Sequence, residues 1–152
     1  MTCVEIGSGT GVFSSRMVEI VGPSGIVYSV DNSVDMLDYQ RSANPPSNLK
    51  LIKANAAGTG LDDGCADVCL MAFILHEVDK PEGILTEAYR LLKPGGLAVV
   101  VEWGIDTDHG PPRQIRIGPD KAKLFFRQVG LLYEKHADWS KNHYVITGRK
   151  PR

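Results

Sequence analysis

Three glycines and a glutamate near the start of the chain are the first residues whose spacing favours ligand binding. The glycines follow a short apolar stretch, residues 3–6, at alternate positions: Gly7, Gly9 and Gly11. Glycine lets a backbone turn sharply and lets a ligand approach without meeting a Cβ atom. A dinucleotide-binding GxGxxG loop needs a glycine where this chain has Val12. Glu5, just before the loop, suits a ligand with an ammonium group better than one with a pyrophosphate, so NAD is not the predicted ligand.

Asp31 is the second candidate and directly follows another apolar stretch, residues 26–30. In an open α/β sheet, an acid at this distance after a glycine loop lies beside the ligand crevice. Its carboxylate can accept hydrogen bonds from both hydroxyl groups of a ribose. We therefore predict that Asp31 binds a ribose, although an isolated aspartate after a strand more commonly belongs to a turn or a cap.

The segments that must position these residues alternate between strand and helix patterns. Short apolar runs predict strands, and apolar residues at helical spacing predict helices. The predicted strands are residues 3–6, 26–30, 49–53, 68–72, 97–101, 131–136 and 142–148. The predicted helices begin near Phe13, Val34, Pro81 and Pro119, and their ends are marked by Gly22, Asn44, Pro94 and Gly130.

This alternation predicts a single α/β domain over residues 1–152. Its sheet is expected to be doubly wound, Rossmann-like and mostly parallel, with an antiparallel hairpin at the C-terminus. Ligands of such sheets bind beyond the carboxyl ends of the strands. The long polar segment from Trp103 to Gly118 leaves the same edge of the sheet, so we interpret it as a candidate lid. An exposed loop without chemistry is the alternative.

Composition excludes several classes of protein. The 152 residues are 43% hydrophobic and 23% charged, which is typical of a folded globular domain. The longest apolar run, residues 68–75, is far shorter than the roughly 20 residues of a membrane span, and no signal peptide is readable. The three cysteines form no CxxC pair and no HExxH motif occurs, so no metal site is predicted. We expect a cytoplasmic protein that does not enter a membrane.

The net charge of −1 gives the chain no general attraction to nucleic acid. Acidic residues dominate residues 1–109, whereas basic residues dominate residues 110–152. The basic part can form a patch for a polyanion, but a solvated face of the domain is the commoner explanation. A nucleic-acid partner is therefore not expected.

Four blocks, taken together and in order, resemble the class I S-adenosylmethionine-dependent methyltransferases. They are VEIGSGTG (residues 4–11), VYSVDNSVDML (27–37), FILHEVDKP (73–81) and LLKPGGL (91–97). Within that family, the chain is most similar to the small-molecule group that includes the ubiquinone and menaquinone biosynthesis C-methyltransferases. The resemblance covers residues 3–103 and implies a seven-stranded sheet of order 3-2-1-4-5-7-6.

The resemblance also implies which residues surround the cofactor, S-adenosylmethionine. They are Glu5, Gly7, Ser8, Gly9, Gly11, Asp31, Asn32, Met36, Asn55, Ala56, Ala72 and Phe73. Glu5 and the loop of residues 7–11 would contact the methionine part of the cofactor, and Asp31 would contact its ribose. Asn32 and Met36 would flank the adenine.

Two further pairs in this set depend on chemistry as well as on resemblance. Asn55 and Ala56 occupy the place of a common Asp-Ala pair, where the Asn55 carbonyl can still accept a hydrogen bond from the adenine amino group. Ala72 and Phe73 would lie near the sulfonium, whose positive charge favours an aromatic neighbour. For Phe73, an ordinary core position is the alternative.

The acceptor side of the site is predicted from fewer residues. Members of the family often have a histidine at the place of His76, where an imidazole can take a proton near neutral pH. His76 is therefore the candidate catalytic residue, and a polar cap at the start of a helix is the alternative. Glu77, Trp103 and His109 are the further candidates for the acceptor pocket.

The function implied by the resemblance is methyl transfer to a small-molecule acceptor by in-line displacement, with S-adenosylhomocysteine as product. Two alternatives remain: a non-catalytic cofactor-binding homologue or subunit that needs a partner, and a methyltransferase of RNA or protein that uses the basic C-terminal part. Related enzymes usually carry cover helices before the first strand, and this sequence has none before residue 3. We therefore expect a truncated start, a minimal fold, or a homodimer or other partner that covers the pocket.

Overall fold

The computed structural model describes the whole chain, residues 1–152, as one seven-stranded sheet with four α-helices. The strands are Thr2–Ile6 (β1), Ile26–Asp31 (β2), Leu49–Lys53 (β3), Ala66–Ala72 (β4), Leu92–Trp103 (β5), Leu132–Asp138 (β6) and His143–Arg149 (β7). The helices are Val12–Val21 (α1), Val34–Ser42 (α2), Pro81–Leu91 (α3) and Pro119–Gln128 (α4), with short 3-10 turns at Leu75–Glu77 and Arg113–Ile115. None of these helices is long and apolar enough to cross a bilayer.

The sheet has the order β3-β2-β1-β4-β5-β7-β6, which confirms the predicted topology. β1 to β5 pair in parallel, and β7 lies antiparallel between β5 and β6. Because parallel strands end at a common edge, the residues that follow β1, β2 and β4 come together there. The glycine loop, defined as residues 7–11, starts at this edge.

Alternate residues of β1 belong to two different cores. Val4 and Ile6 are fully buried in the main cluster, which includes the apolar faces of α3 and α4. Cys3 points the other way and packs with Val18 of α1. A strand that is covered on both faces must be apolar at most positions, which explains why continuous apolar runs predicted the parallel strands.

β5 begins earlier than the sequence predicts. Residues 94–96, expected to be a turn between helix and strand, lie within β5, which starts at Leu92. The pairing with β4 shifts register between Leu92 and Leu97, and Gly95 has a φ of 80°. The Pro-Gly-Gly sequence does end α3 near Leu91, but a bulge keeps the chain in the sheet.

Candidate functional site

A cavity of about 630 Å³ opens at the carboxyl ends of β1, β2 and β4. This volume is within the range of sites for small molecules. Eleven of the twelve residues predicted to surround the cofactor line it: Glu5, Gly7, Ser8, Gly9, Asp31, Asn32, Met36, Asn55, Ala56, Ala72 and Phe73. Gly11 does not line the cavity. Among the other candidates, Glu77 lines it, whereas His76, Trp103 and His109 do not.

Asp31 holds the glycine loop with its carboxylate. Its Oδ2 accepts the backbone N–H of Gly9 at 2.8 Å, and its Oδ1 accepts the backbone N–H of Ser33 at 2.9 Å. A carboxylate has about four lone-pair sites, so each oxygen can accept a further hydrogen bond from a ligand. Asp31 therefore shapes the cavity wall while it retains the capacity to bind a hydroxyl group.

Gln40 also holds this loop, through other atoms than Asp31 does, and the sequence did not predict this role. Its Nε2 donates to the Gly9 carbonyl at 2.7 Å and to Ser8 Oγ at 3.0 Å, and its Oε1 accepts from Ser29 Oγ at 2.7 Å. The side chain is buried, with Gln40 only 4% exposed. The available signal was a polar residue three positions after Leu37, on the buried face of α2.

Gly9 and Gly11 are glycines for different reasons. Gly9 has a φ of 53°, and a Cβ atom there would meet no atom within 4 Å, so open space lies beside this cavity-lining residue. At Gly11, with a φ of 82°, a Cβ atom would come within 2.7 Å of the Gln40 side-chain amide. Gly11 thus allows the start of α1 to lie close against Gln40 of α2.

Glu5 is a buried acid in the cavity wall, only 1% exposed. Its Oε2 accepts a hydrogen bond from Ser14 Oγ of α1. The pKa of Glu5 is raised to about 7, mainly because the carboxyl is buried; the hydrogen bonds with Ser14 oppose this rise, and the charge of Asp31 adds to it. A carboxyl group with this pKa is readily ionised when a cation enters, so the site suits an ammonium group.

Phe73 lines the cavity with a strained backbone. Its φ of 56° lies in the left-handed region, which bulky residues rarely adopt. The conformation is held because the Phe73 N–H donates to the Val101 carbonyl at 2.8 Å, which ties the end of β4 to β5. Strain of this kind is concentrated at functional sites. It supports a role for Phe73 beyond ordinary packing.

The ring of Phe73 belongs to an aromatic cluster beside the cavity, formed by Phe13, Phe73, Trp103, Trp139 and His143. Neighbouring ring centroids lie 4.4 to 6.3 Å apart. Trp103 therefore reaches the cavity wall indirectly, through its contact with Phe73 at 5.6 Å. Trp139 and His143 were not predicted, because the turn between β6 and β7 reaches this place only through the folded sheet.

His76 pairs with a buried acid, Glu102, at the end of β5. The Nδ1 atom of His76 lies 2.8 and 3.1 Å from the two oxygens of Glu102, and the two side chains are 7% and 1% exposed. The same carboxylate accepts the backbone N–H groups of His76 and Trp103 at 3.3 and 3.2 Å. Because a carboxylate only accepts, the neutral imidazole carries its hydrogen on Nδ1 and leaves Nε2 as an acceptor.

The segment predicted to be a lid is organised around Arg116. Its guanidinium donates to the backbone carbonyls of Ile105, Thr107, His109 and Pro111 at 2.7 to 3.2 Å. His109 is exposed, and no residue of the segment 104–118 lines the first cavity. Part of the segment instead lines a second, open cavity of about 650 Å³ next to the β6–β7 turn. The acceptor-facing role of His109 stays a prediction.

Comparison with known proteins gives the family. The model of the methyltransferase domain family matches residues 4–100. The chain belongs to this family. A demethylmenaquinone methyltransferase of Geobacillus sp. (strain WCH70) is 34% identical over 102 residues, which are 65% of this chain and 44% of that protein. A ubiquinone/menaquinone biosynthesis C-methyltransferase of Ectopseudomonas mendocina (strain ymp) is 30% identical over 139 residues, 89% of this chain and 53% of that protein.

The fold is shared with solved methyltransferase structures. A crystal structure of an S-adenosylmethionine-dependent methyltransferase from Aquifex aeolicus superposes with a TM-score of 0.90 at 24% identity, covering 98% of this chain and 81% of that one. Family and fold together imply S-adenosylmethionine as cofactor. The chain spans about half the length of the curated relatives it matches.

Proposed function

We propose that this chain is an S-adenosylmethionine-dependent methyltransferase domain that acts on a small molecule. The observation that carries the proposal is the cavity wall, which unites Glu5, the glycine loop and Asp31 at one edge of the sheet. Family membership supports the reaction type, since the matching model is that of a methyltransferase domain. Residues 1–152 would act as one such domain.

The residues of the cavity fit the cofactor that the family implies. Glu5 would bind its ammonium group, Asp31 its ribose hydroxyls, and the open space at Gly9 would admit it close to the backbone. The Oδ1 atom of Asn55 already accepts a hydrogen bond from the Ala57 N–H at 2.8 Å. Its second lone pair would accept a hydrogen bond from the adenine amino group. When bound, the cofactor supplies a methyl group activated by positively charged sulfur, so the protein mainly binds, orients and excludes water.

The acceptor would bind on the side of the aromatic cluster. Phe13 and Phe73 line the cavity and also belong to the cluster, so a flat apolar molecule there would contact aromatic rings. Relatives are named for methylation of demethylmenaquinone and for ubiquinone biosynthesis, and we extend a quinone-like acceptor to this chain as part of the proposal. His76 does not line the cavity, so an acceptor would have to reach past the lining residues for His76, oriented by Glu102, to take the proton that it loses.

A transfer assay tests this proposal. The purified chain is incubated with S-adenosylmethionine labelled in its methyl group and with reduced naphthoquinone-type and benzoquinone-type acceptors, with RNA and a basic protein as comparison substrates. We expect label in a small-molecule product together with S-adenosylhomocysteine. Label found only in RNA or protein, or cofactor binding without any transfer, would instead support one of the two alternative functions.

We also propose a cytoplasmic location and a second protein chain that covers the pocket. The three cysteines are unpaired, which fits a reducing cytoplasmic compartment. Two apolar residues of the cavity rim, Val12 and Met36, are 71% and 40% exposed, which fits a homodimer or another partner that covers the pocket. Light scattering with and without S-adenosylhomocysteine tests this point, and a monomer in both states would contradict a covering second copy.

A further inference from the structure

We propose that Gln40 is a positioning residue that holds the glycine loop in the conformation that binds the cofactor. The inference rests on the proposed function, since it assumes that the cavity binds S-adenosylmethionine. Gln40 does not line the cavity itself. It would act through Ser8 and Gly9, which do.

Both polar groups of the Gly9 residue are bonded to side chains from different elements. Its N–H donates to Asp31 at the end of β2, and its carbonyl accepts from Gln40 in α2. The second hydrogen of the same Nε2 is donated to Ser8 Oγ. Gln40 therefore uses both of its donors on the loop, in a place where burial keeps water from competing for them.

The loop has particular need of such support. Gly9 has no side chain to restrict its backbone, and its φ of 53° is one of many conformations open to glycine. A loop that is already held in the bound conformation loses less entropy when the ligand arrives. The Gln40 amide also fills the space beside Gly11, so one side chain fixes the middle and the end of the loop.

Ser29 provides a matched control for this role. It is fully buried, and its hydroxyl donates to Oε1 of Gln40 at 2.7 Å. Replacing Ser29 by alanine removes one buried hydrogen bond of Gln40, while both hydrogen bonds from Nε2 to the loop remain. A purely structural role of Gln40 predicts similar effects for changes at either residue, whereas a positioning role predicts different ones.

The test compares Gln40→Met with Ser29→Ala by calorimetric titration with S-adenosylhomocysteine. Methionine keeps the length of the side chain and removes both donors. We expect Gln40→Met to raise the dissociation constant roughly 10-fold or more, the scale of two lost hydrogen bonds, and Ser29→Ala to change it less than about 3-fold. Both variants are expected to lower the melting temperature. Equal loss of affinity in the two variants, or none in Gln40→Met, overturns the proposal.

Hydrogen exchange of the free wild-type protein gives a second, ligand-independent measurement. We expect the amide of Gly9 to be protected before any cofactor is added, and to exchange faster in Gln40→Met than in Ser29→Ala. If Gln40→Met does not fold, rapid exchange at Gly9 in the free wild-type chain still overturns the proposal. Failure of the wild-type chain to bind S-adenosylhomocysteine contradicts the proposed function instead, so the two failures are distinguishable.

Discussion

The two sides of the cavity are stabilised by different kinds of contact. On the loop side, the backbone itself is fixed by partly buried hydrogen bonds: Asp31 accepts from the Gly9 N–H, and Gln40 donates to the Gly9 carbonyl. On the aromatic side, Phe13 and Phe73 line the cavity and pack against further rings, and the nearby His76 and Glu102, which do not line it, are bonded to each other. Hydrogen bonds depend on direction, so they hold the loop backbone in one conformation. Packing between rings depends less on direction, so one apolar side chain or ligand can replace another of similar volume.

From this difference we expect the two sides to bind different kinds of ligand. The loop side presents fixed backbone and carboxylate groups, which suits a cofactor that has the same structure in every member of a family. The aromatic side presents two apolar rings, Phe13 and Phe73, to the cavity, which would suit a variable acceptor. Substitutions on the loop side should therefore abolish or weaken cofactor binding, and substitutions on the aromatic side should spare it.

The largest effect is expected from Gly9→Val. The side chain would extend into open space beside the cavity, and valine is strained at a φ of 53°. We expect binding of S-adenosylhomocysteine to be lost in calorimetry. Gly60→Val is the control, because Gly60 has a φ of 75°, a Cβ there would also meet open space, and it does not line the cavity. Retained binding in Gly9→Val, or equal loss in Gly60→Val, would place the ligand elsewhere.

Asp31→Ala should have the next largest effect. The change removes the proposed ribose contact and also the acceptor for the Gly9 N–H. We expect a loss of roughly 1.5–3 kcal/mol in binding free energy, the scale of hydrogen bonds to a charged group. Asp35→Ala, an exposed change in the first turn of α2, should bind normally. Unchanged affinity in Asp31→Ala would remove the ribose assignment.

Much of the loop side was predictable from sequence, and most of the aromatic side was not. Glu5, Gly9 and Asp31 lie at or just after the ends of neighbouring strands, so the sheet topology predicts that they come close together, and all three line the cavity. Gln40 was not predicted, because the sequence places one polar residue on the buried face of a helix but does not show which groups it bonds to. Trp139 and His143 lie in a hairpin far along the chain, so only the antiparallel pairing of β7 with β5 brings them to Phe13 and Phe73 respectively.

Glu5 should make binding and stability depend on pH in opposite directions. Its pKa is raised from 4.5 to about 7 in the folded chain, so between these values the native state keeps a proton that the unfolded state has lost. The free energy of unfolding should therefore fall as pH rises from about 4.5 to about 7. Binding of an ammonium group favours the ionised form, so affinity should instead increase as pH rises through about 7.

Glu5→Gln is the variant that separates these effects. Glutamine keeps the shape of the side chain without its titration, so the fall in stability over that pH range should become smaller. We expect affinity for S-adenosylhomocysteine at pH 8 to drop by roughly 1 kcal/mol, less than for Asp31→Ala because ionising a buried carboxyl offsets part of the gain. Thermal unfolding and calorimetry at several pH values measure both quantities, and an unchanged pH dependence would contradict the role of Glu5.

The smallest effect on cofactor binding is expected from His76→Gln. Glutamine can still donate to Glu102, so the contact between the ends of β4 and β5 is preserved. We expect affinity for S-adenosylhomocysteine to stay within about 2-fold, while kcat for methyl transfer falls roughly 100-fold because the proton acceptor is lost. A variant with normal kcat and reduced thermal stability would show that His76 is a structural cap.

Calorimetric titration of the wild-type chain with S-adenosylhomocysteine, with NAD as the comparison ligand, tests the central claim most directly. The loop departs from the dinucleotide pattern at Val12, and its wall carries a buried carboxyl at Glu5, so only the ligand with an ammonium group matches the cavity. We expect saturable binding of one S-adenosylhomocysteine per chain and no heat from NAD. Binding of NAD, or no binding of S-adenosylhomocysteine, would contradict it.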